Sequence, residues 1–379
     1  MPNLLLIMSW NSSLTSWYKL NIFEREIRIY IELLQSKKIK CLYIISYSKY
    51  DLVFNHKLIN KYISENRIKI IAPDKYSNDN IIFKLLWSIF SIKKINLAQD
   101  KIDISITHQI DGIIPLILGN LRLRSSIIVR SGYIPSLHRL AYKSRYSFSV
   151  IIFKFIELIA ISLANKILVT SEIDKYYLIN RFRSKSNKIK IVKNFVDTDI
   201  FRRNLGIIQR DDRILYVGRI SKEKNLLNLL KAIKKSSYGL DIIGSGPKYK
   251  EIKEYAYKNK IDLNILGNFN NMELPNKYSE YKYFILPSYS EGSPKVLLEA
   301  MSIGLVCICS PLNGIKEIIE NNKNGILTNG TDANDLYESI SNIKKSSYIS
   351  LSNAARNYIL DNHSLTKILC EYHKIINEV

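Results

Sequence analysis

Two carboxylates stand eight positions apart in the stretch PSYSEGSPKVLLEAM (Pro287 to Met301), Glu291 in a Gly/Ser/Pro turn and Glu299 in the apolar run that follows. Pro294 suits a first helical position, because it has no amide hydrogen to leave unpaired. Glu299 then falls in the second turn of a helix, about 7.5 Å further along the axis, its side chain tilted back toward the N-terminus. Val296, Leu297, Leu298, Ala300, Met301 and Ile303 surround it, so the spacing predicts a partly buried carboxylate that needs a hydrogen-bonding partner. Both acids can face one ligand across the helix end, where unpaired amides attract anions and two carboxylates repel a bare phosphate. A polyhydroxylated ligand that also carries phosphate, such as a nucleotide sugar, suits that mixture. Taken alone, the segment leaves open a surface glutamate beside an ordinary helix cap.

A second set of charges lies upstream. The apolar run Ile214 to Val217 leads into Gly218, Arg219, Ile220, Ser221, Lys222, Glu223, Lys224 and Asn225, and then into the amphipathic LLNLLKAIKK. A strand, a basic loop with a glycine and a helix form the arrangement by which an α/β sheet takes phosphates at the carboxyl edge of its strands. Arg219 can fork onto two phosphate oxygens, and Lys224 supplies a compact second charge. Without the rest, a solvated basic turn is the favoured reading of a lone Arg and Lys.

Together these residues resemble the retaining, nucleotide-sugar-dependent glycosyltransferases of family 4, which have the GT-B architecture. VGRISKEKN is similar to that family's diphosphate-binding VGR-x-x-x-EKG loop, and EGSPKVLLEAM to its motif of two acids separated by seven residues. VKNFVDTDIF (192–201) is similar to the PNGVD-x-x-x-F segment that opens the donor domain, and IIGSGP (242–247), ILGNF (265–269) and NGIKEII (313–319) follow in order. The match is dense from about residue 190 to 330 and thin before that. The resemblance implies that Gly218, Arg219 and Lys224 hold the donor diphosphate and that Glu299 binds the ribose. It implies that Glu291, in its turn with Gly292, Ser293 and Pro294, contacts the transferred sugar, and that Gly267, Asn268 and Phe269 border the base. The catalytic set it implies is Glu291, Arg219 and Lys224, with no cofactor beyond the nucleotide-sugar donor (UDP-, GDP- or similar) and no metal. The chain departs from the family at Asn225 and Phe195, where glycines are usual, and at Val306, where a proline is usual.

Short apolar runs alternate with helical periodicity through both halves, which predicts an α/β protein of parallel sheets covered by helices on both faces. Candidate strands are 3–8, 40–46, 68–72, 103–107, 125–129 and 166–170 in the first half. In the second half they are 214–217, 240–243, 264–266, 283–286, 305–309 and 326–328. A helix over about 22–35 carries Phe23, Ile27, Ile31 and Leu34 on one stripe. The length of 379 residues suits two domains. With the resemblance, this gives two Rossmann-like domains facing each other across a cleft: 1–185 for the acceptor, 186–355 for the nucleotide-sugar donor, and a last helix (356–379) packing back on the first. The basic stretch 180–195 is the expected linker.

The first half holds the less defined chemistry. Where the family often has a glycine-rich loop after the first strand, the chain reads Ser9-Trp10-Asn11-Ser12-Ser13. Where the family commonly has a histidine near the reacting sugar, it reads Arg130-Ser131-Gly132-Tyr133. His108 and Asp111 follow the 103–107 strand, where a carboxyl-edge cleft would lie, and are candidates for acceptor or sugar contact. Arg130 is a candidate for an acceptor phosphate.

Cys41, Cys307, Cys309 and Cys370 have no metal-ligand spacing, and Cys307 and Cys309 read as small core residues. Asp197-Thr198-Asp199 is formally a DxD, but its place inside VKNFVDTDIF makes it an interdomain turn. MPNLLLIMSW begins with a strand-like run and has no basic n-region, so a cytoplasmic protein is expected.

Charge is one-sided. Residues 1–190 carry 30 Lys and Arg against 13 Asp and Glu, and 191–379 carry 26 against 21. Residues 112–156 hold seven basic side chains (Arg122, Arg124, Arg130, Arg139, Lys143, Arg145, Lys154) and no acid, interleaved with aromatic and aliphatic residues. That mixture suits an anionic membrane surface, as does a peripheral position on the inner face of the cell membrane. SFSVIIFKFIELIAISLA (147–164) is long enough to suggest a membrane span, but Lys154 and Glu157 near its middle favour a buried or interface helix. The functional expectation is sugar transfer to a lipid-linked or saccharide acceptor in surface polysaccharide biosynthesis. A nucleotide-sugar epimerase of the same architecture is the alternative. A nucleic-acid partner finds no motif to support it, although the pI is near 9.6.

Overall fold

A computed structural model describes residues 1–10, 12–74, 81–95, 101–140, 144–182, 186–343 and 347–379. Asn11, Tyr142, Lys143 and residues 183–185 of the basic stretch lie outside the described residues. The chain divides into two compact units, Met1–Val192 with Leu369–Val379, and Lys193–Ile368.

The first unit is built on a parallel sheet of β1 (Leu4–Ile7), β2 (Leu42–Ile45), β3 (Ile68–Ile71), β4 (Ile104–Thr107), β5 (Ser126–Ser131), β6 (Lys166–Val169) and β7 (Ile189–Ile191), in the order β3-β2-β1-β4-β5-β6-β7. Runs such as LLLI and LYII are apolar at every position because parallel strands are covered on both faces, and all of these residues are buried. Its helices are α1 (Leu14–Lys19), α2 (Phe23–Gln35), α3 (Lys57–Ser64), α4 (Ile81–Ser91), α5 (Ile114–Leu123), α6 (Pro135–Leu140), α7 (Phe148–Leu163) and α8 (Glu172–Phe182). The α2 stripe of Phe23, Ile27, Ile31 and Leu34 is buried as its periodicity predicts.

The second unit is built on β8 (Arg210–Val217), β9 (Gly239–Ile243), β10 (Leu263–Gly267), β11 (Tyr281–Leu286), β12 (Val306–Cys309) and β13 (Ile326–Leu327), also parallel, in the order β10-β9-β8-β11-β12-β13. Its helices are α9 (Leu226–Lys235), α10 (Tyr249–Lys258), α11 (Leu274–Ser279), α12 (Lys295–Ile303), α13 (Asn313–Lys316), α14 (Ala333–Ser341) and α15 (Tyr348–His363). Both cysteines of β12 are fully buried. Each unit is thus a doubly wound, Rossmann-like layer structure.

Three expectations need correction. The stretch 180–195 is not a plain linker: Ile189–Ile191 pairs with β6 as the last strand of the first unit, and the units part at Val192/Lys193. The last helix is not continuous. α15 packs on α12 in the second unit, and a break at Ser364 precedes α16 (Leu365–Asn377), whose residues from Leu369 belong to the first unit. The break has a backbone cause, because Val196 N donates to His363 O (2.9 Å) and Leu365 N donates to Val196 O (3.1 Å). Pro294 sits one position earlier than expected, as the extended N-cap of α12.

Candidate functional site

In a doubly wound sheet, loops at the carboxyl ends of the strands open apart where the strand order reverses. In the second unit that point lies between β8 and β11, and both charged motifs lie there. Lys224 of the β8 loop donates to Glu291 Oε1 of the β11 loop at 2.6 Å, and Ser288 Oγ donates to the same oxygen at 2.6 Å. The backbone ties the two loops as well, since Tyr289 N donates to Glu223 O (2.9 Å). Asn225 Nδ2 donates to Pro287 O (3.0 Å) and Thr331 O (2.7 Å).

Asn225 is left-handed, with φ of 57°. The chain turns there to enter α9, which is why glycine is usual at this position in the family the motif resembles. Asn is among the few side-chain-bearing residues that tolerate that conformation. Here it adds two hydrogen bonds that glycine could not make.

The remaining loops brace these two through backbone contact. Gly244, at φ of 147°, lies where a Cβ would come within 1.9 Å of Gly218 O. Ile220 N donates to Ser245 O (2.9 Å), Gly244 N to Gly267 O (2.8 Å), and Asn268 Nδ2 to Ser245 Oγ (3.1 Å). On the other side, a Cβ on Gly314 would lie 1.8 Å from Gly292 O, so NGIKEII supports the turn that carries Glu291. Asn194 Nδ2 holds Ser293 O at 2.8 Å.

Glu299 is 1% exposed, and Tyr278 OH donates to its Oε2 at 3.1 Å, which supplies the partner that its burial requires. Arg219 is solvent-exposed, and Tyr216 OH donates to its carbonyl at 3.0 Å. The structure therefore brings Lys224, Glu291, Gly292, Ser293 and Pro294 together, and it stacks the Gly218 turn on the Gly267–Asn268 turn through Gly244. It does not bring the Arg219 guanidinium and the Glu299 carboxylate into contact. The centre of the arrangement is the lysine–glutamate pair. Burial and the nearby Glu291 charge push the Cys309 thiol up, so it stays protonated beside this pair.

The first unit repeats the geometry at its own reversal, between β1 and β4. Trp10 N, in the loop after β1, donates to Asp111 Oδ2 (3.2 Å), and burial raises the Asp111 pKa. His108 Nε2 lies 3.5 Å from Glu26 Oε2, and its ring packs on Trp17 with centroids 4.7 Å apart. Arg130 Nη1 donates to His108 O at 3.3 Å, and the guanidinium lies near Tyr372 of α16 and Glu26. His108, Asp111 and Arg130 thus share one neighbourhood, and the final helix supplies part of it. Asp51 was missed by sequence reasoning. It accepts from Leu14 N (2.8 Å), Thr15 N (2.9 Å) and the hydroxyls of Thr15 and Ser46, and so occupies the N-terminal amides of α1 with an internal carboxylate. Ser288 and Tyr278 were missed too. The serine lies in the quoted PSYSEG run, but nothing in the sequence pairs Tyr278 with Glu299.

In the Asp197-Thr198-Asp199 segment, Asp197 Oδ1 accepts from the amides of Asp199 (3.2 Å) and Ile200 (3.3 Å), a local turn of the kind expected there. No helix among the described residues is long and apolar enough to cross a membrane.

Residues 197–359 match the family described as Glycosyl transferases group 1. The chain is 25% identical over 335 residues to the UDP-Gal:alpha-D-GlcNAc-diphosphoundecaprenol alpha-1,3-galactosyltransferase of Escherichia coli, covering 82% of this chain and 83% of the relative. It is 24% identical over 282 residues to a Campylobacter jejuni alpha-1,4-N-acetyl-D-galactosaminyltransferase that acts on an undecaprenol-linked saccharide, covering 72% and 74%. In fold it is similar to Anabaena Alr3699/HepE in complex with UDP, with a TM-score of 0.77 at 12% identity over 100% of both chains. It is also similar to the sucrose-phosphate synthase of Thermosynechococcus elongatus, with a TM-score of 0.81 at 15% identity over 100% of this chain and 99% of the other. With a parallel-sheet Rossmann-like unit on each side of residue 192, charged loops at the β8/β11 reversal and a second unit that matches the glycosyl transferases of group 1, the chain is a glycosyltransferase.

Proposed function

We propose that the chain transfers a sugar, with retention of anomeric configuration, from a nucleoside diphosphate sugar to a lipid-linked saccharide during surface polysaccharide synthesis. The observation that carries this reading is the 2.6 Å Lys224–Glu291 pair at the strand reversal of the second unit. UDP is the favoured nucleotide, because the Escherichia coli relative is named for UDP-Gal and the Anabaena protein was crystallised with UDP. Undecaprenol-linked acceptors in the names of two relatives support the lipid, and with it a reaction at the inner membrane surface.

Arg219 and Lys224 neutralise the donor diphosphate. The Lys224 ammonium has three donors, of which Glu291 takes one, so the others remain for phosphate oxygens. As the bond from the sugar's anomeric carbon to the phosphate oxygen breaks, the two cations and the loop amides stabilise the charge gathering on the leaving group. The acceptor hydroxyl bonds to the anomeric carbon from the same face, and its proton passes to the departing phosphate oxygen. No protein base, cofactor or metal has a part in this scheme. Glu291 meets the hydroxyls of the transferred sugar, and Glu299 accepts from the ribose hydroxyls. Gly267, Asn268 and Phe269 border the base, and His108, Asp111 and Arg130 serve the acceptor side.

Thermal unfolding with UDP-, GDP- and ADP-sugars tests the donor. A ligand at ~100 times its dissociation constant stabilises by about 2.7 kcal/mol, so the correct one is expected to stand out. NMR of the product's anomeric proton tests retention, and an inverted product would overturn that part. Isomerised donor without nucleotide release would replace transfer by epimerisation.

A further inference from the structure

The first unit carries a broad apolar surface that its own fold does not use. α7 is apolar around nearly its whole circumference. Val150, Glu157 and Ala160 face inward and are fully buried, while Phe148 (77% exposed), Ile151, Ile152, Phe155 (62%) and Leu158 face solvent. The only acid on α7, Glu157, points away from that face and accepts from Ser136 N (2.8 Å) and Ser136 Oγ (2.6 Å). α4 exposes Ile82, Leu85, Leu86 and Phe90, and α5 exposes Ile117 and Leu121, the latter 84% exposed.

These helices form one layer. From β3 the chain returns across the sheet to β4 and then advances through β5 and β6, so right-handed crossovers put α4, α5 and α7 on the same face. α5 touches both α4 and α7. An exposed apolar area of this extent on a folded chain marks an interaction surface.

Charge selects the occupant. Residues 81–95 carry three lysines and no acid, and 112–156 carry no acid and, besides Arg130 of the His108 neighbourhood, six basic residues. Several of these cations lie over rings: Lys93 over Phe90 (4.9 Å), Arg139 over Phe153 (3.8 Å) and Arg145 over Tyr146 (4.7 Å). Such pairs present an apolar body and a charged tip, the combination suited to the boundary between acyl chains and headgroups.

We infer that the α4–α5–α7 face docks on an anionic lipid bilayer, with the Phe148, Ile151 and Phe155 side chains entering the acyl boundary and the cations meeting headgroup phosphates. This rests on the proposal of a lipid-linked acceptor, and it assigns the contact to a hydrophobic helix layer rather than to basic charge alone.

Vesicle flotation tests it, using full-length protein with phosphatidylglycerol-containing vesicles and with pure phosphatidylcholine vesicles, at low and high salt. Wild type is expected to float with the anionic vesicles and to keep part of its binding at high salt. The variant Phe148→Ser/Phe155→Ser is expected to lose at least tenfold in binding, and Arg145→Glu/Lys154→Glu to lose its preference for anionic lipid. A Phe155→Trp protein is expected to be quenched by brominated acyl chains. Transfer to a water-soluble acceptor analogue is expected to be unchanged in all three variants, so loss of docking separates from loss of transfer. Flotation of the serine variant equal to wild type would overturn the inference, as would the absence of quenching. So would a dimer that the serine substitutions dissolve while flotation persists.

Discussion

Lys224 and Glu291, 67 positions apart in the chain, meet at 2.6 Å where the second sheet reverses its strand order. The two side chains come from different motifs, so their pairing makes one unit of the basic loop and the acid turn. Lys224→Ala and Glu291→Ala are each expected to lower transfer by about 10- to 100-fold, about 1.4 to 2.7 kcal/mol of barrier. The double variant is expected to be little worse than the poorer single one, because groups that act together are not additive. Steady-state kinetics on the four proteins measures this, and fully multiplicative losses would show that the pair does not act as a unit.

Arg219→Ala and Glu299→Ala are each expected to reduce transfer at least tenfold, about 1.4 kcal/mol, yet to differ in stability. Arg219 is exposed, and its removal should shift stability by no more than about 0.5 kcal/mol. Glu299 is buried against Tyr278, whose hydroxyl would lose its shorter hydrogen bond, so Glu299→Ala should also lower the melting temperature. Wild-type rates in both variants would refute the donor site.

Gly314→Ala places a methyl 1.8 Å from Gly292 O, closer than any contact can bear, so the turn bearing Glu291 must move. A displacement of about 1 Å can cost on the order of a hundredfold in rate. Transfer should fall much more steeply than the urea midpoint does. Parallel loss of both would reduce Gly314 to a folding residue.

At Asn225, alanine must adopt the left-handed conformation and forfeits two hydrogen bonds, together about 2 to 3 kcal/mol. Asn225→Gly keeps the conformation and loses only the hydrogen bonds. Equilibrium unfolding should therefore order the three proteins Asn, Gly, Ala.

Burial holds His363 down at about 4, with its Nδ1 against Asn194 O at 2.7 Å. In the unfolded chain it titrates near 6.5, so between these values the unfolded state binds a proton that the native state refuses. Stability is fully present above about pH 6.5 and falls as pH drops toward 4, by up to about 3 kcal/mol from this group. Unfolding midpoints of wild type and His363→Asn from pH 7.5 to 4.5 should converge as the pH falls. A constant gap would remove the assignment.

The strands were legible because parallel sheets demand apolar residues at every position, and LLLI, LYII and VCIC can hardly be read otherwise. The charged loops were legible because glycine, proline and charge in fixed order leave few alternatives. β7 was hidden by its composition: Ile189-Lys190-Ile191 is an edge strand with an exposed lysine, and it lies inside a basic stretch. The break at Ser364 was hidden because its cause, the bridge to Val196, lies far away in the chain. Glu299 could be read as buried, but Tyr278 could not be read as its partner. The exposure of α7 was equally out of reach, since an all-apolar helix reads the same whether its outer face meets protein or lipid.

The loops of the second unit touch main chain to main chain at Gly244 and Gly314, without side chains as padding. Such a seat cannot be retuned by small increments, because the least added atom disturbs every neighbour at once. The first unit is cushioned by replaceable side chains around His108 and Arg130. Substitution is therefore absorbed more readily there, and the match to the glycosyl transferases of group 1, residues 197–359, falls wholly within the unit whose seats are main chain.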